Sequence, residues 1–131
     1  MIVVDASAVL EVLLGTQLSE KVERRILEKN ESLHAPHLLD FEVAQVLRRY
    51  ALSGSFDDMR GREALEDLQA MAITRYPHEP LLERIWELMS NLTAYDAVYV
   101  ALAEALDATV LTCDRKIASV RGIGARVEVV A

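Results

Sequence analysis

Apolar residues fall along this chain in two rhythms, and the alternation between them predicts its elements. Ile2-Val3-Val4 is an uninterrupted β-branched run, the mark of a strand buried on both faces. It ends at Asp5. Helical spacing starts at once over Ala6 to Leu14, and Gly15 supplies a stop signal. Gln17 to Lys29 reads as a charged helix with Val22, Ile26 and Leu27 on its inner side. A short strand over Leu33 to Ala35 ends at Pro36. Leu38 to Leu52 is amphipathic, with the stripe Leu39, Val43, Val46, Leu47 and Tyr50, and Ser53-Gly54 closes it. Ser55 is the expected cap of the next helix, with Asp58 completing a capping-box pattern, and that helix runs to about Met71.

The second half repeats the alternation. Ile73 to Tyr76 reads as a strand, and Pro80 suits the first turn of a helix ending near Asn91. Trp86 shares that helix with Leu82, Ile85 and Met89, which points to the core or a subunit contact. Thr93 to Leu106 is apolar nearly all round through Ala97 to Ala103, so it is expected to be buried. Thr109 to Thr112 is a strand, a short helix follows Asp114, and Val127 to Val130 is the last strand. Strands alternating with helices predict an α/β fold with a mostly parallel sheet covered on both faces. The 131 residues suit a single domain over 1–131.

Composition narrows the function classes. Apolar residues make up 52 %, enough for a core without staples. A net charge of −7 argues against coating nucleic acid by bulk charge, while leaving room for local basic contacts. Cys113 is the one cysteine, so no internal disulfide forms and a reducing compartment fits. Asp5 interrupts any signal-like run, and no apolar stretch suits a bilayer span. The expectation is a soluble cytoplasmic protein with no membrane contact.

The acids carry the chemistry. Asp5 ends the first strand, and Asp114 follows the strand Thr109 to Thr112. Ligands of open α/β sheets bind outside the carboxyl ends of the strands. Helices there run antiparallel to the strands, so their N-termini lie at the same edge. This sends Glu42 and Asp96, each early in a helix, toward that rim. Converging carboxylates raise one another's pKa unless a cation joins them. An all-oxygen donor set selects Mg²⁺ or Mn²⁺, and a metal held this way serves hydrolysis of a phosphate ester. Each acid also has a plainer reading. Asp5 and Asp114 could cap the following helices, and Asp96 could close a capping box with Thr93. Asp40 and Glu42 flank the apolar stripe on its two sides, and spacing alone does not choose between them.

Four motifs now stand in order: Val3-Val4-Asp5-Ala6-Ser7-Ala8, Pro36-His37-Leu38-Leu39-Asp40-Phe41-Glu42-Val43, Thr93-Ala94-Tyr95-Asp96-Ala97-Val98-Tyr99 and Leu111-Thr112-Cys113-Asp114. Together they resemble the PIN domain, most closely the VapC-type toxins of prokaryotic toxin–antitoxin systems, over essentially the whole chain. The resemblance implies a three-layer α/β/α fold with sheet order 3-2-1-4-5. It implies a Mg²⁺- or Mn²⁺-dependent endoribonuclease that hydrolyses RNA through a metal-activated water, leaving a 5′-phosphate and a 3′-hydroxyl. Asp5, Glu42, Asp96 and Asp114 match the family's acidic quartet, which selects Glu42 over Asp40. Ser7 and Thr112 match hydroxyl positions that support the acids or hold water. Homodimerisation and silencing by a cognate antitoxin, whose C-terminal segment lies across the toxin near its active site, are implied as well. One departure concerns the second metal. Some nucleases of the superfamily carry a further acid after the last motif, where this chain has Arg115 and Lys116.

Arg48, Arg49, Arg115, Lys116 and Arg121 are the candidates for RNA contact, since an acidic protein needs a local positive lane for a polyanion. The surplus of Val9, Leu10, Val12, Leu13 and Leu14 suits a helix covered on two sides or a groove for a partner segment, and the resemblance favours a groove for the antitoxin. His34, His37 and His78 lack zinc spacing and read as structural or surface residues, and Cys113 as a small core residue. Two other classes compete. A receiver-like or phosphatase-like protein is disfavoured because Ala6 and Ser7 stand where the further acid of those families falls. A degenerate PIN fold that only binds a partner is disfavoured by the complete quartet.

Overall fold

The computed structural model describes residues 1–131. Five parallel strands form one sheet: β1 (Ile2–Val4), β2 (Leu33–Pro36), β3 (Ile73–Tyr76), β4 (Thr109–Thr112) and β5 (Arg126–Val129). Their order is β3-β2-β1-β4-β5, so β1 lies at the centre with β4 beside it. In register, Val3 faces His34 on one side and Val110 on the other.

Side chains of successive strand residues point to opposite faces, and this divides the core in two. Ile2, Val4 and Leu111 pack under α1 (Ala6–Leu14), α2 (Ser19–Glu28), α3 (Leu38–Leu52) and α4 (Asp58–Ala70). Val3 and Val110 pack on the other face against α6 (Ala94–Leu106) and the short α5 (Leu82–Glu87). Residues Ala97 to Ala103 of α6 are all buried, as its all-round apolar pattern requires.

Local signals set the joints. Asp5 caps α1 by accepting from the Ala8 amide, and Gly15 ends it in the left-handed region at φ 61. The amide of Leu38, at the start of α3, donates to His78 Nε2 at 2.9 Å. His34 is buried between Ser32 and the Tyr76 hydroxyl. At the far edge Arg25 joins Glu128 and Glu31, tying α2 to β5.

Several expectations fail for local reasons. Asp57, not Ser55, caps α4, accepting from the Arg60 amide at 2.9 Å. Phe56 packs against the core ahead of it, and the Ser55 hydroxyl bonds Ser53 instead. Leu27 is 74 % exposed, because Val22 and Ile26, four residues apart, already form the inner face. The helix at Pro80 breaks into a 3₁₀ turn at Glu79–Leu81 and α5, short of Asn91. Of the two places expected for Trp86, the core is ruled out: it is 71 % exposed, since Leu81, Ile85 and Leu88 take the inward positions, and a subunit contact is the place left for it. The short helix expected after Asp114 is a 3₁₀ turn at Ile117–Ser119. No helix is long and apolar enough to cross a membrane.

Candidate active site

Each acid reaches the carboxyl edge of the sheet by its own element. Asp5 follows β1 directly, and Asp114 stands two residues past β4, its neighbour. Glu42 lies in the early turns of α3, which starts right after β2. Asp96 is the third residue of α6, whose far end leads into β4. The Asp96 amide donates to the Thr93 hydroxyl, so Thr93 caps this helix and the Asp96 carboxylate makes no hydrogen bond or ion pair within the protein.

Asp5 is the most constrained of the four and only 7 % exposed. Ser7 Oγ donates to its Oδ1 at 2.6 Å, and the Ala8 amide donates to the same oxygen at 3.0 Å. The Thr112 hydroxyl donates to Oδ2. The same two hydroxyls hold β4's end in place. Ser7 Oγ accepts from the Cys113 amide at 2.9 Å, and Thr112 Oγ1 accepts from the Asp114 amide at 2.9 Å. Ser7 and Thr112 thus fix Asp5 and the backbone of Asp114 together. The Lys116 amide donates to Asp114 Oδ1 at 3.0 Å, steadying the following turn.

Electrostatics link the acids in a chain. Burial pushes the Asp5 carboxyl above its ordinary range against its hydrogen bonds, and the Asp114 charge adds to the rise. Burial also raises Glu42, and the charges of Asp5 and Asp96 raise it further, while a hydrogen bond from Tyr99 opposes them. The Tyr99 hydroxyl donates to Glu42 Oε1 at 2.5 Å, and burial with this carboxylate beside it lifts the phenol far above its usual value. Cys113 is pushed up to about 11, chiefly by burial, and is inert as a nucleophile. No three acids stand close enough together, as they lie, to grip one ion.

Asp40 belongs to a different arrangement. Arg75 grips it through Nε and Nη2, with Nε 2.8 Å from Oδ2, on the side away from Glu42. Tyr99 is the residue that sequence reasoning missed. Its signal was a phenol on an otherwise apolar helix, three residues past Asp96, that needed a polar partner once buried.

Beside Glu42 and Ser7 runs an apolar groove of about 530 Å³ walled by Leu10, Leu38, Phe41 and Val46. Phe41 and Tyr95 on its rim are 77 % and 63 % exposed, and Arg49 lies at its edge. Arg48, Arg115, Lys116 and Arg121 are also exposed and carry no ion pair, whereas Arg25, Arg62, Arg75 and Arg84 are each tied to a carboxylate. Arg115 and Lys116 flank Asp114 directly.

The PIN domain matches residues 2–123 of this sequence. The chain belongs to the PIN-domain family. Within that family it is similar to Ribonuclease VapC1 of Mycobacterium tuberculosis, 45 % identical over 98 % of this chain and 96 % of the relative. Among solved structures, the crystal structure of Mycobacterium tuberculosis VapC20, a Sarcin-Ricin loop cleaving toxin, aligns with a TM-score of 0.72 at 15 % identity, covering 96 % of this chain and 99 % of that one. A toxin-antitoxin complex from Klebsiella pneumoniae aligns with a TM-score of 0.68 at 17 % identity, over 100 % of this chain and 98 % of that one. These alignments show that the chain shares its fold with both structures.

Proposed function

We propose that this chain is the toxin of a toxin–antitoxin pair, an endoribonuclease that hydrolyses RNA phosphodiester bonds with Mg²⁺ or Mn²⁺ held by Asp5, Glu42, Asp96 and Asp114. The observation that carries this reading is electrostatic. Four acids from four elements share one sheet edge, and the raised Asp5 and Glu42 each feel the charge of another member. Protein cations do not neutralise them; Arg75 is spent on Asp40. The ribonuclease activity follows the 45 % identical relative.

The donor set fits the ion. It is all carboxylate oxygen, which suits a hard divalent cation and not zinc or copper. When bound, such an ion supplies Lewis-acid stabilisation at phosphorus and a water of lowered pKa. The chain's own residues do the rest. Ser7, Thr112 and the Ala8 amide hold Asp5 in one orientation. Thr112 sets the backbone of Asp114. Arg115, Lys116 and Arg49 offer charge to an RNA backbone, with Arg48 further along α3. The groove beside Glu42 suits an apolar antitoxin segment, and a homodimer is expected.

Incubating the protein with RNA tests this. Cleavage is expected with Mg²⁺ or Mn²⁺ and is lost when chelator is added. The ion should also raise the melting temperature, because a ligand at ten times its Kd adds about 1.4 kcal/mol to stability. Cleavage that survives the chelator, with no melting shift at saturating metal, would contradict the proposal.

A further inference from the structure

We infer that Tyr99 is a positioning residue, one that holds Glu42 for the divalent ion from the opposite helical layer. This assignment rests on the metal-dependent reading above. Glu42 stands on α3, whose residues Leu39, Val43 and Leu47 pack on one face of the sheet. Tyr99 stands on α6, packed on the other face with Val3, Val98 and Val110. Their hydrogen bond, 2.5 Å long, joins the two layers beyond the strand ends.

The two partners differ in freedom. The Tyr99 ring is 2 % exposed and locked by the core around it, so its hydroxyl is a fixed point. Glu42 is half-buried on a side chain with three rotatable bonds and faces repulsion from Asp5 and Asp96. Without a restraint, that repulsion turns the carboxylate toward water. The phenol is the one side-chain partner that Glu42 has, and Glu42 is the one that Tyr99 has. Oε1 is held and Oε2 is left open. Packing alone does not call for this hydroxyl. Phenylalanine would fill the same space, and burying a hydroxyl without a partner is costly. Tyr99 and Asp96, three residues apart on one helical face, therefore serve the same edge by different means.

The test is a mutant cycle on the full chain, read by calorimetric titration with Mn²⁺. Four proteins are compared: the parent, Tyr99→Phe, Glu42→Ala and the double variant. Tyr99→Phe is expected to weaken Mn²⁺ binding about tenfold, the usual lower bound for losing a group that orients a metal ligand. Its RNA cleavage should fall at limiting Mn²⁺ and recover at saturating Mn²⁺. On the Glu42→Ala background the same change should add nothing, because the two residues act as one unit. A merely structural role would lower the melting temperature and leave the titration in place. Mn²⁺ binding by Tyr99→Phe within twofold of the parent overturns this assignment alone, as does an equal loss on both backgrounds. A parent that takes up no Mn²⁺ overturns the metal reading and this assignment with it.

Discussion

Asp5→Asn is expected to reduce RNA cleavage by about 10³-fold, a loss of several kcal/mol of transition-state stabilisation. It should also raise the melting temperature of the metal-free protein at pH 7. The opposite signs have one cause. Asp5 is almost fully buried, and its carboxyl is raised above the ordinary range, first by burial and then by Asp114. A carboxyl raised on folding contributes stability that is present below its unfolded pKa. That stability is lost as pH rises through the folded value, and above it the ionised Asp5 is a net cost. Asparagine removes the charge and keeps Oδ1 as the acceptor for the Ala8 amide and the Ser7 hydroxyl, and the Thr112 hydroxyl, on the other side, can turn to accept from the new amide. The melting difference should therefore grow from acid toward pH 7. Saturating Mg²⁺ should reverse it, because only the parent gains the ion's stabilisation. Asp40→Asn is the control. Its carboxylate serves Arg75, and cleavage should persist. Cleavage by Asp5→Asn within threefold of the parent, or a lower melting temperature at pH 7 without metal, would count against the account.

Thr112→Val keeps the shape of the strand end and removes its fully buried hydroxyl. Two groups lose their partner at once: Asp5 Oδ2 loses a donor and the Asp114 amide loses an acceptor. The expected cost is about 2–3 kcal/mol, the upper part of the range for leaving buried polar groups unpaired. Cleavage should fall by roughly 10–100-fold, because the group that orients the ligand is gone while the ligand remains. The stability cost should shrink as pH falls from 7 toward 4, because a proton taken up by Asp5 replaces the lost donor. Thr112→Ser, which retains the hydroxyl, should stay close to the parent in cleavage. Chemical unfolding across this pH range separates the outcomes; a loss independent of pH would mean that Thr112 acts only through packing.

The parts legible in the sequence were those written in local pattern. A β-branched run ending in Asp5 announced a central strand, and the unbroken apolar stretch from Ala97 to Ala103 announced a buried helix. Strand–helix alternation then placed four acids at one edge without any knowledge of side-chain contacts. Pairings between distant elements were not legible. Asp40 and Glu42 sit two residues apart on α3, and their spacing gave no preference between them. The structure separates them through Arg75 on β3 and Tyr99 on α6, partners far away in the chain. Leu27 and Trp86 stay out of the core because a short helix has room for few inward residues, and neighbours one position away had already filled them. Ser55 lost to Asp57 because Phe56 had to reach the core before the helix could start.

The most direct test is a crystal structure grown with Mn²⁺ and measured at the manganese absorption edge. The account predicts an anomalous peak at the carboxyl edge of β1 and β4, bound by Asp5 together with carboxylates from among Asp96, Asp114 and Glu42. A peak held by other residues, or none at that edge with saturating Mn²⁺, would contradict it.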